Sequence, residues 1–152
     1  MRTIARVETT RRDPEVVSRA MRSVRHRDTT PERLLRSALW RRGLRFRLRS
    51  NLPGKPDIVF PGPRVAVFVD GDFWHGRQWL TRGFASLEAQ MERVHGAEYW
   101  VPKLKRTIAR DKATTERLRR DGWAVVRLWE SDVKRDPSQA ADEVVRVVGR
   151  KP

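Results

Sequence analysis

Apolar and polar positions recur along this chain with two periods, and the change from one to the other divides it into helices and strands. Asp13-Pro14 reads as an N-cap with proline at the first helical position. A short helix over about 14–25 follows, with Val17, Met21 and Val24 on one face. Residues 26–29 break it. Thr30-Pro31 restarts a helix with the same chemistry. Glu32 sits in its first turn, Leu34, Leu35, Ala38 and Leu39 form its apolar stripe, and Gly43 ends it. Strict alternation over 44–49 predicts a half-buried strand. Residues 56–60 and 64–70 predict two more, the last apolar enough to be central in a sheet. Residues 71–76 form a loop, and Leu87, Met91 and Val94 suggest a helical turn or two within 86–94. A long helix over about 99–121 carries Leu104, Ile108 and Leu118 inward, and Gly122 ends it. Residues 123–129 form a fourth strand, and Asp136-Pro137 caps a last helix over about 138–149. The order α-α-β-β-β-α-β-α implies a three-strand meander, a helical crossover and a fourth strand. The expected fold is α/β, with a mixed central sheet flanked by helices. Residues 1–12 lack an apolar period and read as a flexible basic arm; 13–150 read as a single domain.

Composition narrows the classes open to such a fold. The chain has 152 residues, enough to bury a core without covalent staples, and no cysteine. Disulfides, thiol nucleophiles and thiolate metal sites are therefore excluded. No run of about 18 apolar residues is present to form a membrane-spanning helix. The first residues lack the apolar stretch of a signal peptide, so a cytoplasmic location is expected. Lys and Arg number 34 against 19 Asp and Glu, a formal charge of +15. The excess is uneven: residues 1–50 carry net +10, 51–100 net −1, and 101–152 net +6. Basic flanks attract a polyanion through counterion release. An acidic centre inside such a surface is where carboxylates can hold a divalent cation against phosphate.

The acids are placed accordingly. Asp57 opens one strand and Asp70 ends its neighbour, so the two can lie side by side at one sheet edge, with Glu32 completing an acidic pocket. Oxygen clusters of this kind suit Mg²⁺, which takes one or two carboxylates and keeps several waters. The alternative is that Asp57 and Asp70 are strand-end caps and Glu32 a first-turn acid favoured by the helix dipole. Phe73-Trp74 in a loop is open to two readings: aromatics tucked into a core, or a wedge that unstacks base pairs. His75 beside them can act as a base near neutral pH, or be an ordinary surface residue.

Several ordered segments resemble the very-short-patch-repair (Vsr) DNA mismatch endonucleases. They are Met21-Arg22-Ser23-Val24, Thr30-Pro31-Glu32-Arg33-Leu34-Leu35, Leu52-Pro53-Gly54-Lys55-Pro56-Asp57, Val67-Phe68-Val69-Asp70-Gly71-Asp72-Phe73-Trp74-His75, Arg110-Asp111, and 118–130 with Gly122-Trp123 and Trp129-Glu130. The resemblance spans about 17–133. It implies a restriction-endonuclease-like αβββαβ core and Mg²⁺-dependent nicking of one DNA strand beside a T·G mismatch. By position it implies Asp57 as principal metal ligand, joined by the backbone carbonyl of Val69. Glu32 and Asp70 would orient metal-bound waters, His75 would be the base, and Asp111 would support the site from the long helix. Phe73 and Trp74 would intercalate from the major-groove side and Met21 from the minor-groove side, with Arg22 also on DNA.

The departures from that family are informative. A structural zinc common in the family would need Cys or His where Asp72, Arg77, Trp79 and Ser131 stand, so no structural zinc is expected. The loop around His75 must then be held by Trp79 or by residues 80–98. Asp70 replaces a His of some members, Val69 a Thr, and Thr107 an expected Asn. The expected partner is double-stranded DNA, mismatched, bound by a monomer with no membrane association. Two alternatives stay open: a defence or restriction nicking nuclease without mismatch preference, and a non-catalytic DNA-binding module.

Overall fold

The structure is a computed structural model that describes residues 28–72, 75, 77, 83–92 and 96–149. The expected arm over 1–12, the helix over 14–25 and residues Met21, Arg22, Phe73, Trp74 and Trp79 lie outside the described residues.

Helix α1 runs Thr30–Arg41, with Thr29 in extended conformation before it and Pro31 in its first turn. Strand β1 is Ile58–Phe60 and β2 is Val65–Asp70. A short helix α2, Leu87–Met91, and the long α3, Ala97–Arg120, follow. Then come β3, Ala124–Trp129, α4, Glu130–Arg135, and α5, Pro137–Gly149. The sheet has the order β1-β2-β3. β1 pairs antiparallel with β2, Ile58 opposite Val67, and β2 pairs parallel with β3, Val65 opposite Ala124. The helical crossover through α3 makes the parallel pair possible, because parallel strands cannot be joined by a tight turn.

The two-residue period of the strands sorts their side chains onto two faces. Ile58, Phe60, Val65, Val67, Val126 and Leu128 pack with α1, Val133 and α5 into the main core. Ala66 and Phe68 face the other way and meet Leu118 of α3, with Leu52, Trp123 and Val125 alongside. The same alternation puts Asp70 and Arg127 on the α3 face. A satellite core of Leu87, Met91, Trp100 and Leu104 holds α2 to the start of α3.

Helix α3 ends as the sequence predicts. Gly122, at φ +89°, lets its own N–H reach the Arg119 carbonyl at 3.0 Å and the Trp123 N–H reach that of Leu118 at 2.9 Å. That pair of bonds satisfies carbonyls left open at a helix end, and the positive φ suits glycine.

Four expectations need correction. Residues 44–49 form no strand, only an isolated antiparallel bridge between Arg47 and Val59 with two 2.8 Å bonds. Pro56 and Pro61 bracket β1 and supply no N–H, so its ladder is too short to template a neighbour. Leu44 and Phe46 still pack against the core, while Leu48 is exposed. Leu34 and Ile108, expected in apolar stripes, are exposed as well. α4 was not expected, since Val133 is its single buried residue.

Candidate active site

The site forms where β1 and β2 meet the middle of α3. At its ends α3 turns Leu104 and Leu118 into apolar cores. Between them Thr107, Arg110, Asp111 and Thr114 recur at spacings of three and four and line a cleft. The helix face is thus apolar at both ends and polar where the cleft needs chemistry. The cleft has a volume of about 830 Å³ and is also lined by Glu32, Asp57, Val69, Asp70, His75 and Arg127. The structure therefore brings Glu32, Asp57, Asp70, His75 and Asp111 together, five residues separated by up to 79 positions in the chain.

Asp57 sits just before β1 and its Oδ2 accepts the Val69 N–H at 2.7 Å. Burial pushes its carboxyl up to about 7, more than the Val69 bond lowers it, and the charges of Glu32 and Asp70 and a hydrogen bond with Glu32 push the same way. Glu32 is only 6% exposed, and its Oε2 accepts the Asp28 N–H at 2.9 Å. This reach back across the helix start resembles the glutamate half of a capping box. Glu32 thus serves the helix terminus and the acidic pair together.

Asp70, also 6% exposed, receives both its hydrogen bonds from one group: Arg127 Nη1 donates to each of its oxygens at 3.0 Å. Burial raises the Asp70 pKa, against the lowering charges of His75 and Arg127. Arg127 is held further by Thr115 Oγ1 at 2.8 Å, by the Asp111 carbonyl at 3.3 Å, and by the Phe68 ring at 4.1 Å. Sequence reasoning missed this arginine. Its signal was a lone charge in the apolar run of β3, which a sheet interior tolerates only when paired.

His75 Nδ1 contacts Asp111 Oδ2, and His75 Nε2 lies 3.8 Å from Asp70 Oδ1. Burial disfavours the imidazolium, but the Asp111 hydrogen bond and the charges of Asp70 and Asp111 outweigh it, so the His75 pKa is raised. With Nδ1 committed to Asp111, Nε2 is the nitrogen free to exchange a proton.

The segment carrying His75 is tied down on both sides. Ser131 Oγ donates to Asp72 Oδ2 at 2.6 Å and its N–H to Oδ1 at 3.3 Å. Arg77 Nη1 donates to Asp132 Oδ2 at 2.6 Å, with its guanidinium 5.1 Å from the Trp129 ring centre. Three of the four positions where a zinc ligand would have been expected, Asp72, Arg77 and Ser131, are therefore engaged in this polar clasp to the start of α4.

Among the described residues, no three His, Asp or Glu side chains converge on one point as a closed metal cage. The donor set is instead open: Asp57 and Glu32 in contact, beside the β2 backbone. That suits a hard cation that keeps part of its water, and the raised Asp57 pKa marks a carboxylate short of positive charge.

Comparison with known proteins agrees with this geometry. The family model described as DNA mismatch endonuclease Vsr matches residues 9–81. A protein named Type II nicking enzyme V.NmeDIP, from Neisseria meningitidis serogroup C, is 40% identical over 89% of this chain and 87% of its own. Type II nicking enzyme V.HpaIIP of Haemophilus parainfluenzae is 31% identical over 89% of this chain and 92% of its own. The DNA mismatch endonuclease Vsr of Escherichia coli strain K12 is 34% identical over 78% of this chain and 71% of its own. With the acids, the histidine and its aspartate gathered in one cleft, these likenesses establish that the chain belongs to the Vsr family and is a DNA endonuclease.

Proposed function

We propose that this protein is a Mg²⁺-dependent endonuclease that nicks one DNA strand beside a T·G mismatch. The observation that carries the reading is the convergence of Asp57, Glu32, His75 and Asp111 on one cleft. The non-catalytic reading required these groups to be scattered, and it is set aside.

Phosphodiester hydrolysis needs an in-line water, a group to take its proton, and relief of charge at phosphate. Asp57 and the Val69 carbonyl would hold the cation, which when bound supplies that charge relief. His75 Nε2 takes the proton from the attacking water. Asp111 fixes the opposite nitrogen as the hydrogen-bond donor and stabilises the imidazolium that results. Glu32 orients water at the Asp57 side. Asp70, with both oxygens on Arg127, sets a negative charge 3.8 Å from His75 Nε2, on the side where the water is deprotonated. Phe73 and Trp74, with Met21 opposite and Arg22 on the backbone, wedge the stack at a T·G pair, which opens at lower cost than a matched pair.

A second reading is favoured by the names of relatives such as V.NmeDIP and V.HpaIIP, which specify nicking but no mismatch. One assay separates the two. A duplex with a single T·G mismatch in varied flanking sequence is compared with its T·A and C·G counterparts, each strand labelled, with Mg²⁺ or EDTA. A nick beside the mismatched T that needs Mg²⁺ supports repair. Equal cutting of all duplexes supports the general nicking nuclease. Asp57→Ala should abolish cleavage and keep DNA binding; full activity in that variant would remove Asp57 from the mechanism.

A further inference from the structure

A second groove, of about 740 Å³, adjoins the active cleft. Arg47, Arg49 and Lys55 line it, over a floor that includes Val59 and Trp123, and no acidic residue is among its walls. Lys55 lines both spaces. Most cations near the core are already committed: Arg42 to Asp142, Arg77 to Asp132, Arg127 to Asp70. The side chains of Arg47, Arg49 and Lys55 have no hydrogen-bond or ion-pair partner among the described residues.

Their positions are nonetheless fixed by the backbone. The reciprocal Arg47–Val59 bridge pins the segment alongside β1. Lys55 is held at φ +51°, a left-handed conformation costly for a residue with a side chain. Gly54, just before it, is pressed against α3: a Cβ there would lie 2.5 Å from Thr114 Cγ2. Three unpaired cations on a rigid edge, open to solvent and continuous with a cleft that cuts phosphodiesters, match a phosphate backbone in charge and shape.

We propose that Arg47, Arg49 and Lys55 form a phosphate track that carries one DNA strand out of the active cleft along the β1 edge. The proposal rests on the chain being a DNA endonuclease. The four steps from Asp57 to Pro61 span about 13 Å at 3.3 Å per residue. That equals roughly four nucleotide rises along a duplex. The contacts should therefore fall within about four phosphates on one side of the cut.

The test is the salt dependence of binding to a matched duplex in EDTA, which needs neither cleavage nor mismatch preference. Arg47→Gln/Arg49→Gln is compared with Arg41→Gln/Arg146→Gln, two arginines of helices α1 and α5 on the opposite face of the sheet. The groove variant should lower the slope of log affinity against log salt by about 2, from about 0.9 per lost phosphate contact. The control should keep the wild-type slope. Lys55→Asn, which tolerates the left-handed backbone, should lower it by about 1. Phosphate ethylation interference should lose its signal on one side of the cut in the groove variant alone. An unchanged slope in the groove variant, or an equal loss in the control, would overturn the track. Failure of the mismatch reading shows differently, as equal cutting of matched and mismatched duplexes by the wild type, and leaves this comparison intact.

Discussion

Asp57 carries the strongest electrostatic conflict in the site, and its sign can be worked through. An aspartate titrates near 3.8 when unfolded and at about 7 here, so the folded protein binds more protons between those values. Stability should therefore fall as pH rises from about 4 to about 7 and stay low above that. At ~1.4 kcal/mol per unit the ceiling is about 4 kcal/mol. His75, whose pKa is also raised, acts in the same direction: its contribution is full below about 6.5 and lost as pH rises through its folded value. Urea unfolding at pH 5 and pH 8 should show higher stability at pH 5, and Asp57→Asn should flatten most of that difference. Saturating Mg²⁺ should stabilise the wild type at pH 8 and do little for the variant. Arg127 gives a second residue-scale prediction. Its removal strands a buried carboxylate, so Arg127→Met should destabilise by about 2–4 kcal/mol at pH 8 and by less at pH 5, where Asp70 can protonate. Equal losses at both pH values would show that packing on Phe68, rather than the charge, is what Arg127 contributes.

At the scale of elements, the turn before β1 depends on two neighbours. Gly54 has φ +75°, with Thr114 Cγ2 and Phe68 where a Cβ would stand. Gly54→Ala should cost about 1–3 kcal/mol by overpacking and by the backbone conformation together. Adding Thr114→Ser removes the clashing methyl and should recover the overpacking part. No recovery in the double variant, measured by thermal melts, would assign the whole loss to φ. The elements that were legible in the sequence are those whose pattern is local. α1 and α5 declare themselves through proline starts, α3 through the glycine after its end, and all three through three-to-four spacing; β2 and β3 do so through apolar runs. Residues 44–49 misled because alternation reports which side chains turn toward the core, and Leu44 and Phe46 are partly buried against it, but pairing depends on a partner strand long enough to receive it. α4 was hidden because six residues carry too little apolar period. Its acids at 130 and 132 and bases at 134 and 135 do follow the helix dipole, and that was the available signal. The acids of the site could be named from sequence because strand ends and a first helical turn place them. Arg127 could not, because its role depends on the parallel register that sets it diagonally beside Asp70.

The whole molecule separates what holds the fold from what holds the chemistry. Among the described residues, the three apolar cores contain none of Asp72, Arg77, Ser131 or Asp132. Those four residues instead join the segment on either side of His75 to α4, which rests on the main core through Val133. The ties are partly exposed and polar, so each contributes about 1 kcal/mol to stability. Their larger effect is to fix His75 between Asp70 and Asp111, where a displacement of about 1 Å can cost on the order of 100-fold in rate. Ser131→Ala/Asp132→Ala should therefore lower the melting temperature by only a few degrees. The single-turnover rate should fall by at least ~10-fold, with duplex affinity kept. Hydrogen exchange should rise at 71–77 and stay unchanged in β2 and α3. Returning Ser131 alone should recover part of the rate, because Asp72 would again be held. If the double variant cuts at the wild-type rate, the contacts of His75 itself suffice to place it, and the clasp serves only to close the surface around the loop.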